Sequence, residues 1–566
     1  MSEVNLARRG FLKTGAAAAA ALMTASAAHA GVPASSVKKW DEEYDVIIVG
    51  TGFAGSSCAL KAGKAGLKIL MIDKMSVAGG NSVICGGNTA CPVNPIQKAQ
   101  GIKDSKELFI ADCVKDGLGL NHTELLGTLA DRCNETIKML LDCGCEFQPY
   151  LLFEAGHSVP RSYQLKSGSG AGYIHPMHNT LRKMPNVTMR TRCKMDDFVL
   201  GDDGSVVGIT ARTGYRFDPK LESDDRDNKS GTKVTYRAKR GVVLAAGGFS
   251  RDVLFRQAQD PRVLPSFDST NHPGATAGAL VSAMGIGALP IQLSWLQFNP
   301  AVAAREKGSG VSMNFINHAC MDLGIVVDKK TGKRFMDEHA GRKIKSDALF
   351  KVIGRDENYP LGICDQSIID AINPGYTQLA LKAGAVKKFD TLDAIADAYG
   401  MPKAPFLEQV KKFNGYVKDG KDPEFNRVLT FNKGVTISKA PFYAIEVTPK
   451  IHHTCGGLLI NTKAQVLSAK TFRPIKGRRD HGRRARRLAP RHGGRDRRAR
   501  LRHDRGRGAL EGRLKRSLLR ADPSQEGLPR GGQSFPVGMG TAPKQLPCRR
   551  FHTVFRAFTM ASDPLL

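Results

Sequence analysis

The sequence predicts an α/β fold in which a parallel sheet is interrupted by an inserted domain of mixed helices and strands. Three observations carry this. An apolar strand at 44–49 runs straight into a glycine turn, a helix and a second strand. A further apolar strand, Gly241–Leu244, runs into Ala245-Ala246-Gly247-Gly248 much later in the chain. Between about Leu293 and Lys439 the glycine-rich pattern stops and mixed α/β patterns take over. A chain of 566 residues is too long for one core, so two or three domains are expected.

The chain opens with Arg8-Arg9-Gly10-Phe11-Leu12-Lys13, an Ala-rich run from Gly15 to Ala28, and the small-x-small site Ala28-His29-Ala30. This is the layout of a signal peptide over 1–30, too short and too weakly apolar for a stable membrane span. The paired arginines resemble a twin-arginine signal, whose route carries folded proteins. A periplasmic or extracytoplasmic protein with no permanent membrane anchor is expected.

Tyr44-Asp45-Val46-Ile47-Ile48-Val49 reads as a buried parallel strand. Gly50-Thr51-Gly52-Phe53-Ala54-Gly55 follows, then a helix over 56–65, then the strand Lys68–Ile72, ended by Asp73 and Lys74. Gly50 permits a tight turn, Gly52 lets backbone approach a pyrophosphate, and Gly55 lets helix and strand pack closely. The helix N-terminus at Phe53 and Ala54 offers free N–H groups to phosphates. Asp73 stands where an acid takes the ribose hydroxyls of a dinucleotide. A second glycine-rich stretch, Gly79-Gly80-Asn81-Ser82 and Gly86-Gly87, lets backbone lie against an extended ligand, as do Ala246, Gly247 and Gly248.

This distribution resembles the flavoprotein family of fumarate reductase and succinate dehydrogenase flavin subunits, urocanate reductase and 3-oxosteroid dehydrogenases. The resemblance implies a Rossmann-like FAD-binding domain over 40–292, interrupted by a mixed α/β capping domain over 293–439 and resumed over 440–477. It implies FAD as cofactor and no metal. Asn271-His272-Pro273-Gly274-Ala275-Thr276 resembles the family's N-H-P-G-A-T segment, with Thr276 toward the flavin; the family continues Gly-Asp where this chain has Ala277-Gly278. Asp328–Glu338 resembles the cap segment N-x-x-G-x-R-F-x-N-E, and Arg342, four residues on, inherits the role of proton donor. Arginine is almost never neutral in water, so that role needs a relay and exclusion of solvent. Tyr443–Ile460 resembles the return segment, in which His453, second of the His452-His453 pair, inherits a substrate carboxylate. The implied chemistry is reduction of a C=C bond beside a carboxylate, with hydride from flavin and a proton from Arg342.

The family has a second carboxylate-binding histidine where this chain has Asn299, and a Thr-Glu pair that falls near Ile316 and Asn317. Neutral Asn attracts an anion less than a charged partner does, so an unsaturated monocarboxylate, aryl acrylate or urocanate-like acid is expected rather than fumarate. The electron donor implied is a separate cytochrome c or quinol-linked partner, since no C-x-x-C-H haem motif occurs here. A steroid-type ketone dehydrogenase is the alternative enzyme, and an inactive remnant the alternative of another class.

The remaining features are structural readings. Leu125, Leu129, Cys133, Ile137 and Leu140 have helical spacing, with Asn121 or Thr123 as cap. Residues 196–200 and 206–209 read as a hairpin. Gly156-His157-Ser158-Val159-Pro160-Arg161 is a polar cluster of open role. The twelve cysteines show no paired zinc spacing.

The net charge of +31 would suggest a nucleic-acid partner, but residues 478–566 hold 21 Arg and 2 Lys against 7 acids. There the chain departs from the family abruptly. Back-translated with GC-rich codons and read one base later, the segment from Arg478 becomes G-E-T-T-G-G-V-H-G-A-S-R-L-G-T-V, the family's own continuation. Residues 478–566 therefore read as out-of-frame translation, predicted disordered, and no nucleic-acid function is expected of them.

Overall fold

Strand β1 (Glu42–Val49) forms because a β-branched run suits a strand covered on both faces; Ile47 and Ile48 are fully buried. The structure is a computed structural model that describes residues 31–477 except 155 and 433. The signal-peptide and out-of-frame readings lie outside the described residues. Helix α1 (Phe53–Lys64) follows β1, and β2 (Ile69–Ile72) returns parallel to it, pairing Ile69 with Val46 and Ile72 with Val49. Every side chain of β2 is buried. The parallel set continues in β3 (Val187–Arg190).

The expected hairpin is present and longer than its apolar residues indicate, as β4 (Cys193–Leu200) and β5 (Val206–Thr213). Strand β6 (Thr232–Leu244) pairs antiparallel with β5 through Arg237 and parallel with β1 along its length. The seven-stranded sheet runs Val32–Pro33, β4, β5, β6, β1, β2, β3. Gly241–Leu244, apolar in sequence, is half-buried, because pairing with β5 stops before it.

The mixed layer consists of β7 (Leu296–Ala303), β8 (Ile325–Val327), α2 (Arg342–Ile353), β9 (Leu361–Asp365), β10 (Val386–Phe389) and β11 (Phe442–Thr454). Its spine is β11, antiparallel to β9 and β10 over its first residues and to β7 over its last. The strand that the sequence assigns to the return thus pairs along its whole length with strands of the 293–439 segment. Phe315, Leu349, Ile363, Phe406 and Ile445 fill the core here, all fully buried.

Residues 31–84 with 178–477 form one compact unit, and 85–177 form another. The second unit holds a three-stranded antiparallel sheet of Thr89–Ala90, Ser162–Leu165 and Phe147–Leu152. Its longest helix, Thr123–Asp142, buries Leu126, Ala130, Cys133, Ile137 and Leu140. The buried stripe therefore starts one residue later than expected, and Leu125 and Leu129 are only half-buried. The cap position is His122, with no side-chain bond, rather than Asn121 or Thr123. The polar cluster at 156–161 has a structural role in this unit. Arg161, fully buried, bonds Asp104 through Nε and Nη2 at 3.0 and 2.8 Å and Asp112 through Nη1 at 2.7 Å, with His157 Nδ1 at 3.1 Å.

Candidate active site

The glycine turn is held by backbone contact. Gly50 has φ +108°, and a Cβ on it would lie 2.2 Å from the Ala245 carbonyl oxygen at the end of β6. A Cβ on Gly55 would lie 2.1 Å from the Gly50 oxygen, so α1 starts flush against the turn. The helix begins at Phe53, three residues earlier than its apolar pattern indicates, with Gly52 as an N-cap that offers no side chain. The Phe53 amide donates to Ser82 Oγ at 2.9 Å. The amides of Ala54 and Gly55 have no protein partner among the described residues.

Asp73, at the end of β2, is fixed on both oxygens. Thr51 Oγ1 donates to Oδ2 at 2.5 Å and the Met75 amide to Oδ1 at 3.0 Å. Thr51 Oγ1 also accepts from the Gly79 amide at 2.9 Å, which ties the two glycine stretches together. Asn81 Oδ1 accepts from the His272 amide at 2.6 Å, bringing in the Asn271–Thr276 segment.

Lys74 Nζ bonds Thr276 Oγ1 and pairs with Asp225 at 3.1 Å. Asp225 is the residue that sequence reasoning missed. It accepts from the Gly278 amide at 2.8 Å, and a Cβ on Gly278 would lie 2.6 Å from its carboxyl carbon. A carboxylate from the short helix Asp224–Asp227 thus occupies the space into which a side chain at 278 would project. Burial pushes this carboxyl up, but Lys74, Lys194 and the Thr276 hydroxyl outweigh it and hold it below the usual range. The acidic run Asp224–Asp227 was the available signal; its distance in sequence from Gly278 hid the pairing.

At the other end, a Cβ on Gly248 would lie 2.1 Å from Thr454 Oγ1, so the glycines after β6 meet the end of β11. The buried hydroxyls of Thr454 and Ser250 have no partner among the described residues. Beside Gly247 and Gly80 there is open space. Orphan amides at one end, orphan hydroxyls at the other and room between fit an extended dinucleotide such as FAD. Gly86 and Gly87, expected among its contacts, belong to the second unit; there Gly87 lies against Leu165 and the Ser169–Gly170 backbone.

Arg342 and His453, named as site residues from the sequence, both adjoin Gln297. On paired strands, Gln297 of β7 stands opposite His453 of β11. Arg342, first residue of α2, donates through Nη1 to Gln297 Oε1 at 3.4 Å. β11 bulges here, with Gln297 opposite His453 but Phe298 opposite Ile451, and the extra residue His452 turns elsewhere, its Nδ1 2.8 Å from Thr270 Oγ1. Asn299 is 4% exposed, its Nδ2 3.1 Å from Met313 Sδ and its Oδ1 accepting the Ala301 amide at 3.1 Å. Ile316 is buried, at the start of a run of wide π-type turns over Ile316–Leu323.

Behind Arg342 lies a buried ionic cluster. Arg334 bonds both oxygens of Glu338, at 3.0 and 2.7 Å, and Asp422 at 2.9 Å; Arg427 bonds Glu338 at 3.1 Å. Burial raises the Glu338 carboxyl, but the two guanidiniums overcome it and hold it down at about 2.

A family model described as an FAD binding domain matches residues 45–477. The acrylate reductase flavoprotein subunit of Shewanella woodyi is 38% identical over 473 residues, 83% of this chain and 91% of the relative. The urocanate reductase of Eggerthella lenta is 30% identical over 77% of this chain and 68% of its own length. Among solved structures, the open conformation of a flavocytochrome c3 fumarate reductase matches with TM-score 0.64 and 28% identity, over 77% of this chain and 72% of that one. A 3-ketosteroid Δ1-dehydrogenase from Sterolibacterium denitrificans, 21% identical with TM-score 0.62, shares the fold.

Proposed function

The chain belongs to the FAD-binding-domain family of flavin-dependent oxidoreductases, and from that premise we propose that it is an exported reductase of a short α,β-unsaturated monocarboxylate such as acrylate. The observation that carries the reading is that Arg342 bonds Gln297, the residue paired across the strands with His453. Bound and reduced, FAD supplies the hydride for the carbon β to the carboxylate. Arg342 holds the proton destined for the α carbon. His453 holds the carboxylate and takes up developing negative charge. Gly50–Gly55, Asp73, Lys74, Gly79–Ser82, Ala246–Gly248 and Thr276 hold the cofactor.

Asn299 supports a single carboxylate. Its amide is neutral, with Oδ1 taken by the Ala301 backbone and Nδ2 against Met313 Sδ, so it offers a second carboxylate no charge. The acrylate reductase relative points the same way. The test is reoxidation of a reduced viologen by the FAD-loaded chain. Acrylate should be turned over with kcat/KM about 100-fold above fumarate, by the energetic scale of an unmatched buried charge; equal or better use of fumarate would overturn the proposal. The electrons would come from a separate cytochrome c or quinol-linked donor outside the cytoplasm.

The break after Gly477 is part of the same reading. The family match stops at that residue, where the shifted frame takes over the family's continuation. Resequencing across codons 470–500 should restore G-E-T-T-G-G-V-H-G-A-S-R-L-G-T-V.

A further inference from the structure

We propose that Lys345, one helical turn beyond Arg342, is the positioning residue that returns a proton to Arg342 after each turnover. The inference rests on the reading of Arg342 as proton donor. A guanidinium that gives up a proton must regain one before the next cycle, and it lies away from bulk water if the flavin site is closed. Something adjacent has to supply that proton.

Helix α2 starts at Arg342, so Lys345 falls at i+3, on the same face and within about 6 Å between Cβ atoms. Its ammonium is turned inward and donates to the Glu338 carbonyl at 3.0 Å. The groups facing it are Asp322, Asp337 and Glu338, which favour its charge, and Arg342, which opposes it. Burial is the largest influence and, with Arg342, brings the amine down to about 8. A lysine so placed is charged at neutral pH yet gives up its proton far more readily than an arginine does.

Glu338, the nearest alternative, is committed. Its two oxygens take Arg334, Arg427 and the Val326 amide, and its low pKa leaves it no proton to give. The path toward solvent that the proposal needs runs through Asp322, which acts on the Lys345 charge. Asp322 Oδ2 is 3.0 Å from His318 Nδ1, and the His318 side chain is 28% exposed.

The steps balance. Arg342 loses an N–H proton to the substrate α carbon and becomes a neutral guanidine. The Lys345 ammonium transfers a proton to that nitrogen and becomes a neutral amine. Solvent reprotonates the amine through His318 and Asp322. No oxidant or reductant enters beyond the hydride of the proposed reaction.

Two readouts test this on the full chain. Limiting acetic anhydride across a pH series, followed by peptide mass spectrometry, gives the Lys345 titration midpoint without turnover. It should lie near 8 in the wild type and move upward in R342Q, where the repelling charge is gone. In the FAD-loaded enzyme, kcat for acrylate should fall as pH rises through that midpoint. K345M should lower kcat about 100-fold, the scale of a lost proton-transfer group, and abolish that alkaline limb, with KM and FAD content unchanged. K345R should keep most of the activity and push the limb to higher pH. An ordinary lysine midpoint unmoved in R342Q, or a K345M enzyme with wild-type kcat and pH profile, overturns the proposal. A wild type that ignores acrylate sinks the substrate reading, while the labelling midpoints still decide the lysine.

Discussion

Asn299 and Glu338 are the side chains whose replacement says most. Asn299→His places an imidazole where the amide now bonds Met313 and the Ala301 backbone. The expected outcome is a shift of kcat/KM toward fumarate by about tenfold or more relative to acrylate, with some loss of stability from the disturbed amide contacts. Parallel kinetics on the two acids check it. Glu338→Gln tests the buried cluster. The folded-state carboxyl titrates at about 2 against 4.5 ordinarily, so its contribution is complete above pH 4.5 and is lost as pH falls toward 2. By roughly 1.4 kcal/mol per unit, that contribution is on the order of 3 kcal/mol. The Gln variant should be destabilised by that order at neutral pH and should unfold with a flatter acid dependence, read from denaturant midpoints between pH 2 and 7. Residues of this kind differ in how legible they are. Arg342 and His453 sit in short contiguous motifs, so their number could be read directly. Asp225 reaches Gly278 from fifty-odd positions away, and nothing local to Gly278 announces the contact.

Among elements, the β1–α1–β2 unit was readable because its signal is local: an apolar run, a glycine spacing, a second run. The largest offset is at the helix start, since backbone geometry at Gly50 and Gly55 begins the helix before any apolar side chain is needed. Gly50→Ala measures that geometry. Its Cβ would sit 2.2 Å from the Ala245 oxygen at a positive φ, which costs backbone strain and pushes β6 away from the turn. The expected result is a chain that keeps its fold but retains less than about a tenth of the wild-type FAD, in line with a penalty of 1–3 kcal/mol for a strained site; absorbance of the purified protein near 450 nm, relative to protein, checks it. Partner choice between strands was less readable. Nothing in 442–454 itself distinguishes the capping sheet from the cofactor sheet, because both ask for the same buried β-branched residues. The stripe of Thr123–Asp142 slipped by one residue for a related reason: leucines stand at both 125 and 126, and tertiary packing chose the second.

At the scale of the molecule, the second unit has its own anchor. Arg161→Met would leave Asp104 and Asp112 buried without their cation, at a cost of about 3–5 kcal/mol. Hydrogen exchange should show faster opening across 85–177, with the seven-stranded sheet protected as in the wild type. Equal loss of protection in both units would mean that they unfold together. The first unit contains a different arrangement. Its chain crosses out of the cofactor-binding part at 292–295 and back at 455–456, and the crossings touch: the Cys455 amide donates to the Trp295 oxygen at 2.9 Å, and a Cβ on Gly456 would lie 2.2 Å from the Gln292 oxygen. These two neighbouring stretches carry every covalent path between 296–454 and the rest of the chain, so Gly456→Ala, whose Cβ has no room beside the Gln292 oxygen, would strain both crossings at once.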